Sequence, residues 1–219
     1  MAAGHTDTGP TGLRADARRN HSRLLDAARD VFVERGAGAP LDEVARRAEV
    51  GIGTLYRRFP DRQVLLHAVV VRALETSCAA ARAALDGTDE GLAALLHYAH
   101  AALDARVSAI IPLALDTPAM ADEQVGRLRE SSAALLQQLV DRAHADGTLS
   151  EDVTFADVGT LLVRLARPLP GRLPTEIDDA LAHRHLDLFI EGVRAAPGRR
   201  TPTGPRLERT DLHALRHLS

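Results

Sequence analysis

Residues 41–59 read LDEVARRAEVGIGTLYRRF, and this stretch decides the fold. Pro40 opens it, and proline is tolerated in a first helical turn because the missing N–H is unpaired there anyway. Asp42 and Glu43 follow where the helix dipole favours acids, and Val44, Ala45 and Ala48 give the short helix an apolar inner face. VGIG breaks the pattern, and TLYRRF forms a second short helix that Pro60 ends. Leu55 and Phe59 are four apart and share a face. With Val50 they supply apolar plugs, which leaves Ile52, Thr54, Tyr56, Arg57 and Arg58 for other faces. Two short helices around a glycine-containing turn, with small alanines permitting close packing, follow the plan of a helix-turn-helix.

Outward from this stretch the periodicity stays helical. Leu24, Leu25, Ala28, Val31 and Phe32 form the stripe of a preceding helix that Gly36 and Gly38 stop. Asp61 is an N-cap for a long helix over 61–85. Further helices are expected over 91–107, 120–146, 154–167 and 175–195. A kinked or broken region is expected at 108–118, where Pro112 and Pro118 fall. No useful strand alternation occurs. The reading is all-α with about nine helices: a flexible arm (1–15), a three-helix head (16–65), a larger helical body (66–196) and a loose tail (197–219) with a weak helix at 212–218.

Composition agrees. The 219 residues are 45% hydrophobic and 3% aromatic, with no Trp, so the core must be Leu, Ala and Val, which suits packed helices. Every one of the 27 basic residues is Arg, an effect of coding bias with no functional weight. The single Cys78 excludes an internal disulfide framework and a cysteine-based zinc site. The polar first dozen residues are not a signal peptide, and no uninterrupted apolar run reaches the ~18 residues of a membrane span. The expected location is the cytoplasm. The net charge is −3, divided as +2 over residues 1–65 and −5 over the rest, as a DNA-binding head on a non-binding body would show. No acid occurs between Glu49 and Asp61. An Arg pair, a Thr and a Tyr on a short helix suit phosphate and base-edge contacts in the major groove. No GxSxG, HExxH, Walker loop or full GxGxxG occurs, so no enzyme activity, cofactor or metal is expected.

The run LLDAARDVFVERGAGAPLDEVARRAEVGIGTLYRRFPDRQVLL closely resembles the N-terminal domain of the TetR family of bacterial transcriptional regulators. The resemblance is dense over 19–66, and its signature is Val50-Gly51-Ile52-Gly53-Thr54-Leu55-Tyr56-Arg57-Arg58-Phe59 with Arg62. The body resembles the family only in plan, with HLDLFIEGVRA placed like the final helix of many members. The resemblance implies a homodimeric, ligand-responsive repressor on a palindrome-like DNA operator, released by a small-molecule inducer. It implies DNA contacts from Thr54 and Tyr56, base preference from Ile52 and Arg57, phosphate contacts from Arg58 and Arg62, and close helix approach at Gly53. Three positions depart from the pattern. Pro40 replaces a capping, phosphate-bonding Thr or Ser. Asp42 sits where some members place a base reader. Glu49 replaces the usual turn Gly and is strained if its φ is positive.

In the body, His97, His100 and Asp104 lie at i, i+3 and i+7. They read as a solvated or interface face, a cavity wall or a metal triad, with metal the least supported. Tyr98 reads as cavity lining or core. Arg164 reads as a dimer-interface cation or a ligand contact. With Met120, these are the candidate pocket residues, in a cavity among the helices near 61–85, 91–107, 120–146 and 154–167 whose mouth lies at the Pro112–Pro118 kink. The candidate dimer stripes are Val158, Leu161, Leu162 and Leu165 in one helix and Ile177, Leu181, Leu188, Phe189 and Val193 in the next, forming a four-helix bundle across the two-fold.

Overall fold

The computed structural model describes residues 10–87, 90–115, 117–169, 173–196 and 202–211, with side chains from Arg19 onward. Among them are ten helices between Pro10 and Val193, a helical stretch at 209–211, and no strand beyond one isolated bridge between Leu149 and Arg194. The all-α expectation holds. The head is α1 (Pro10–Arg35), α2 (Leu41–Arg47) and α3 (Ile52–Arg58). Helix α4 (Arg62–Asp86) runs from head to body. The body adds α5 (Gly91–Asp104), α6 (Val107–Ala114), α7 (Pro118–Ala121), α8 (Glu123–Ala145), α9 (Phe155–Leu165) and α10 (Thr175–Val193).

Local chemistry sets the ends. The Asp61 carboxylate accepts from the Val64 N–H at 2.9 Å and starts α4. Asp122 does the same for α8 through Val125, at 3.1 Å. Thr154 and Asp157 form a reciprocal capping box at α9. Gly36, at φ +84°, ends α1 in the left-handed conformation that glycine adopts without strain.

Two apolar clusters share α4. The first joins α1, α2 and α3 to the first half of α4 and extends over α6, through Val107, Ile110 and Ala114. The second joins the far end of α4 to α5, α8, α9 and α10. Helix α4 is long and apolar enough in composition to cross a bilayer, but half of that stretch is buried inside the protein.

Three boundary expectations change. Helix α1 starts at Pro10, inside the stretch read as a flexible arm; proline at a first helical position is compatible with its fixed φ. The expected break at 108–118 is present between α6 and α7, but an earlier one separates α5 from α6 at Arg106, which adopts φ +51°. Pro112 sits inside α6 and Pro118 opens α7. Of the expected loose tail, two residues touch the body: the Leu207 carbonyl accepts from the buried Thr154 hydroxyl at 2.7 Å, and Arg209 pairs with Glu130. A buried hydroxyl needs a partner, and the tail supplies one. The weak helix expected at 212–218 lies outside the described residues.

Candidate nucleic-acid interface

The interface is built on the packing of α2 and α3. Leu41, Val44, Ala45 and Ala48 are buried between α1 and α3, and Leu55 and Phe59 close the same core from the α3 side. The turn between the helices passes through Glu49 at φ +55°, so the strain expected there on a positive φ is present. Arg23 of α1 braces it. One of its Nη atoms donates to the Ala48 carbonyl at 2.9 Å and to the Glu49 carboxylate at 2.6 Å. Pro40 stands at the N-cap of α2 with no side-chain cap bond, so the capping contact of a Thr or Ser is missing. Asp42 is an exposed first-turn residue of α2.

With Leu55 and Phe59 turned inward, α3 presents an outer edge. Ile52 is 37% exposed and Tyr56 49%, and Gly53, Thr54, Arg57 and Arg58 are exposed beside them. Arg57 folds back along its own helix: Nε donates to the Gly53 carbonyl at 3.2 Å and Nη2 to the Thr54 hydroxyl at 3.1 Å. Arg58 donates from Nε to Nδ1 of His21 at 2.8 Å. Arg62 stands apart. It opens α4, and its Nη1 donates inward to the carbonyls of Ala37 (2.9 Å) and Ala39, holding the α1–α2 loop. Glu34 and Arg47 tie α1 to α2 through two parallel contacts of 2.6 and 2.7 Å, and that hydrogen bond holds the Glu34 carboxyl below its usual range. The arrangement is a rigid three-helix support for one short, cationic, hydroxyl-bearing edge, of the size and chemistry that enter a major groove.

The sequence profile of "Bacterial regulatory proteins, tetR family" matches residues 24–69. The HTH-type transcriptional regulator UidR of Escherichia coli K12 is 24% identical over 194 residues, 85% of this chain and 95% of that one. The TetR transcriptional regulator SCO0520 from Streptomyces coelicolor is 30% identical with a TM-score of 0.58, covering 80% of this chain and 98% of that one. The chain belongs to the TetR family. It is a DNA-binding transcriptional regulator of the helix-turn-helix type. LfrR from Mycobacterium smegmatis, solved in complex with proflavine, shares the fold at 22% identity and a TM-score of 0.54, covering 77% of this chain and 95% of that one.

The candidate pocket residues of this TetR-family body do not converge. His97, Asp104 and Arg164 are exposed, and Met120 packs on the first core from α7. Tyr98 is buried; its hydroxyl lies 3.2 Å from that of Ser77, which lies 3.2 Å from Ser132, and burial raises the phenol pKa above its ordinary value. These three hydroxyls join α4, α5 and α8. His100 instead meets α10: its Nδ1 lies 2.6 Å from Nδ1 of His183, and its Nε2 lies 2.9 Å from Asp187. His183 Nε2 lies 3.1 Å from Asp104. Two imidazoles between two carboxylates thus clamp α5 to α10, and neither His183 nor Asp187 was expected from the sequence. No group of three or more metal-ligating side chains is arranged for a metal among the described residues.

Two clefts lie between head and body. One, of about 350 Å³, is lined by Arg29, Glu34, Arg47, Arg106, Asp179 and His183, among others. Arg106 and Asp179 form a two-contact pair in it, at 2.6 and 2.9 Å. The second, of about 340 Å³, runs between α1, α4 and α5 past Leu25, Val69, Arg72 and Thr76. Of the candidate pocket residues only Asp104 reaches them.

The dimer stripes need correction as well. Val158, Leu162 and Val193 are buried in the chain's own core. Leu161, Leu165 and Phe189 are partly buried against it, and Leu181 is half-buried. Ile177 and Leu188, 49% and 58% exposed, remain outward. An apolar period marks which residues leave water without saying which body they leave it for.

Proposed function

We propose that the protein is a homodimeric repressor whose paired α3 helices read a palindrome-like operator, and that a small molecule bound in the body releases it. The observation that carries this reading is the exposed edge of α3, acid-free over residues 50–60 and fixed by buried Leu55 and Phe59. Tyr56 and Thr54 offer hydroxyls to phosphates, Arg57 and Arg58 offer guanidinium donors to phosphate or guanine, and Ile52 offers an apolar contact to a thymine methyl. Gly53 has no Cβ and lets the helix approach closely. Arg62, tied to the 37–39 loop, positions the head. The head then spans 10–65 and the body 66–196. Such a protein acts on cytoplasmic DNA and needs no enzymatic chemistry.

One short helix covers few base pairs, so pairing through α9 and α10 doubles the contact. Release is a population shift: the inducer must bind better to the form whose heads cannot share one duplex. LfrR was solved in complex with proflavine. Aromatics make up only 3% of this chain, so stacking on a planar ligand is poorly provided for, which favours a mostly aliphatic or mixed inducer.

The test is a gel shift with the DNA upstream of the protein's own gene. Specific binding is expected to weaken steeply as salt rises. Replacing both Tyr56 and Arg57 by Ala is expected to remove binding and leave the sedimentation behaviour unchanged. Unchanged affinity in that variant would overturn the assignment of α3.

A further inference from the structure

His21 lies outside the helix-turn-helix, on α1, yet its ring reaches the base of α3. The ring stacks on Phe59, with centroids 5.7 Å apart and planes 17° from parallel, and Phe59 is itself buried in the core of the head. The imidazole is therefore held, not free. Its Nδ1 receives the Arg58 Nε–H at 2.8 Å.

We propose that His21 is a positioning residue for DNA binding: its neutral imidazole accepts the Arg58 Nε–H and turns the Nη1/Nη2 end of that guanidinium outward to a backbone phosphate. The inference rests on the reading of α3 as the DNA-contacting helix. An arginine presents five N–H donors in a planar fork. With Nε occupied by the ring, the outer pair is the part left to meet a phosphate. The side chain then arrives partly ordered, which lessens the entropy lost on binding. Arg57 is anchored differently, on its own helix, so the two arginines are fixed by independent contacts.

A ring that accepts on Nδ1 must be neutral, with its proton on Nε2. Its surroundings favour that form. Burial comes first, then the positive charges of Arg58 from α3 and Arg72 from α4, and all three hold the His21 pKa below its ordinary value. Asp26, also on α1, is engaged by Arg72 and Arg29. The contact is thus complete at neutral and alkaline pH. It is lost as the pH falls through the depressed value, because a protonated ring has no acceptor to offer Arg58.

The test is a double-mutant cycle in DNA affinity, read by fluorescence anisotropy on the duplex that the full-length protein recovers from a random-sequence library. His21→Leu keeps an apolar side chain on Phe59 and removes the acceptor. Near pH 8 it is expected to weaken binding about fivefold, and to change nothing further once Arg58→Ala is present. Near pH 5 the coupling between the two positions is expected to vanish. Any direct attraction of the protonated ring to DNA is measured in the Arg58→Ala background and drops out of the cycle. His21→Asn places an amide oxygen close to the position of Nδ1; it should restore the coupling and make it independent of pH. Additive losses from His21→Leu and Arg58→Ala would overturn the positioning role and leave the reading of α3 intact. Full affinity in Arg58→Ala alone would instead overturn the contact on which both stand.

Discussion

At the scale of single residues, the most strained conformation in the interface is that of Glu49, at φ +55°. A left-handed backbone costs an L-residue about 1–2 kcal/mol, and glycine avoids it. The ion pair with Arg23 offsets little of this, since the Glu49 side chain is 81% exposed and exposed pairs contribute about 0.2–1 kcal/mol. Glu49→Ala keeps the strain and loses the pair, whereas Glu49→Gly loses the pair and relieves the strain. Chemical denaturation is expected to find the Gly variant more stable than the Ala variant by about 0.5–1 kcal/mol, after the greater freedom of glycine in the unfolded chain is allowed for. The reverse order would mean that the pair, with its hold on the Ala48 carbonyl, governs the turn. This strain was legible in the sequence because it depends on one position in a local motif. The inward turn of Arg62 and the Arg58–His21 contact were not. Both join positions more than twenty residues apart, and no spacing rule relates α1 to α3 or α4 until the three are packed.

At the scale of elements, local chemistry again decided what the sequence revealed. Asp61 and Thr154 could be read as starts because a cap needs only its next three residues. The break between α5 and α6 could not, because it lies at Arg106, a residue with no intrinsic preference for φ +51°. Its guanidinium is held by Asp179 of α10, a contact across 73 residues. Pro112 and Pro118 mark the second break: inside α6 Pro112 removes one backbone donor, the helix ends two residues later, and Pro118 opens α7. Gly91 is the clearest case of a residue whose reason lies in another element. A Cβ there would stand 2.5 Å from the backbone nitrogen of Ala143, so α5 can approach α8 only with glycine at that point. The obstacle is helix backbone and cannot swing aside. Gly91→Ala is therefore expected to cost about 1–3 kcal/mol of stability, although alanine is the better helix former. A melting temperature equal to that of the unaltered protein would show that the two helices can move apart without loss.

At the scale of the whole molecule, helix α10 faces two ways. Leu186, Ile190 and Val193 are buried in the body, and the His100–His183 contact fastens the same helix to α5. Ile177 and Leu188 project to solvent, eleven residues apart and near one face at helical spacing. The stripe expected from sequence thus divides into residues that complete the protein's own core and residues left over. Only the packed structure can divide it, since both sets follow the same period. The leftover set is what a partner copy must cover if the protein acts as a dimer. Leu188→Glu tests this cleanly, because at 58% exposure the change removes no core contact and the isolated subunit has no reason to unfold. Sedimentation equilibrium is expected to give a single subunit at concentrations where the unaltered protein is paired. Operator affinity should fall about a hundredfold, because each head then binds without the effective concentration that its partner supplies. The affinity of each head for nonspecific DNA should stay as it was, since the α3 edge is untouched. A Leu188→Glu protein that still sediments as a pair would place the partner surface elsewhere, and the exposed face of α10 would then need another explanation.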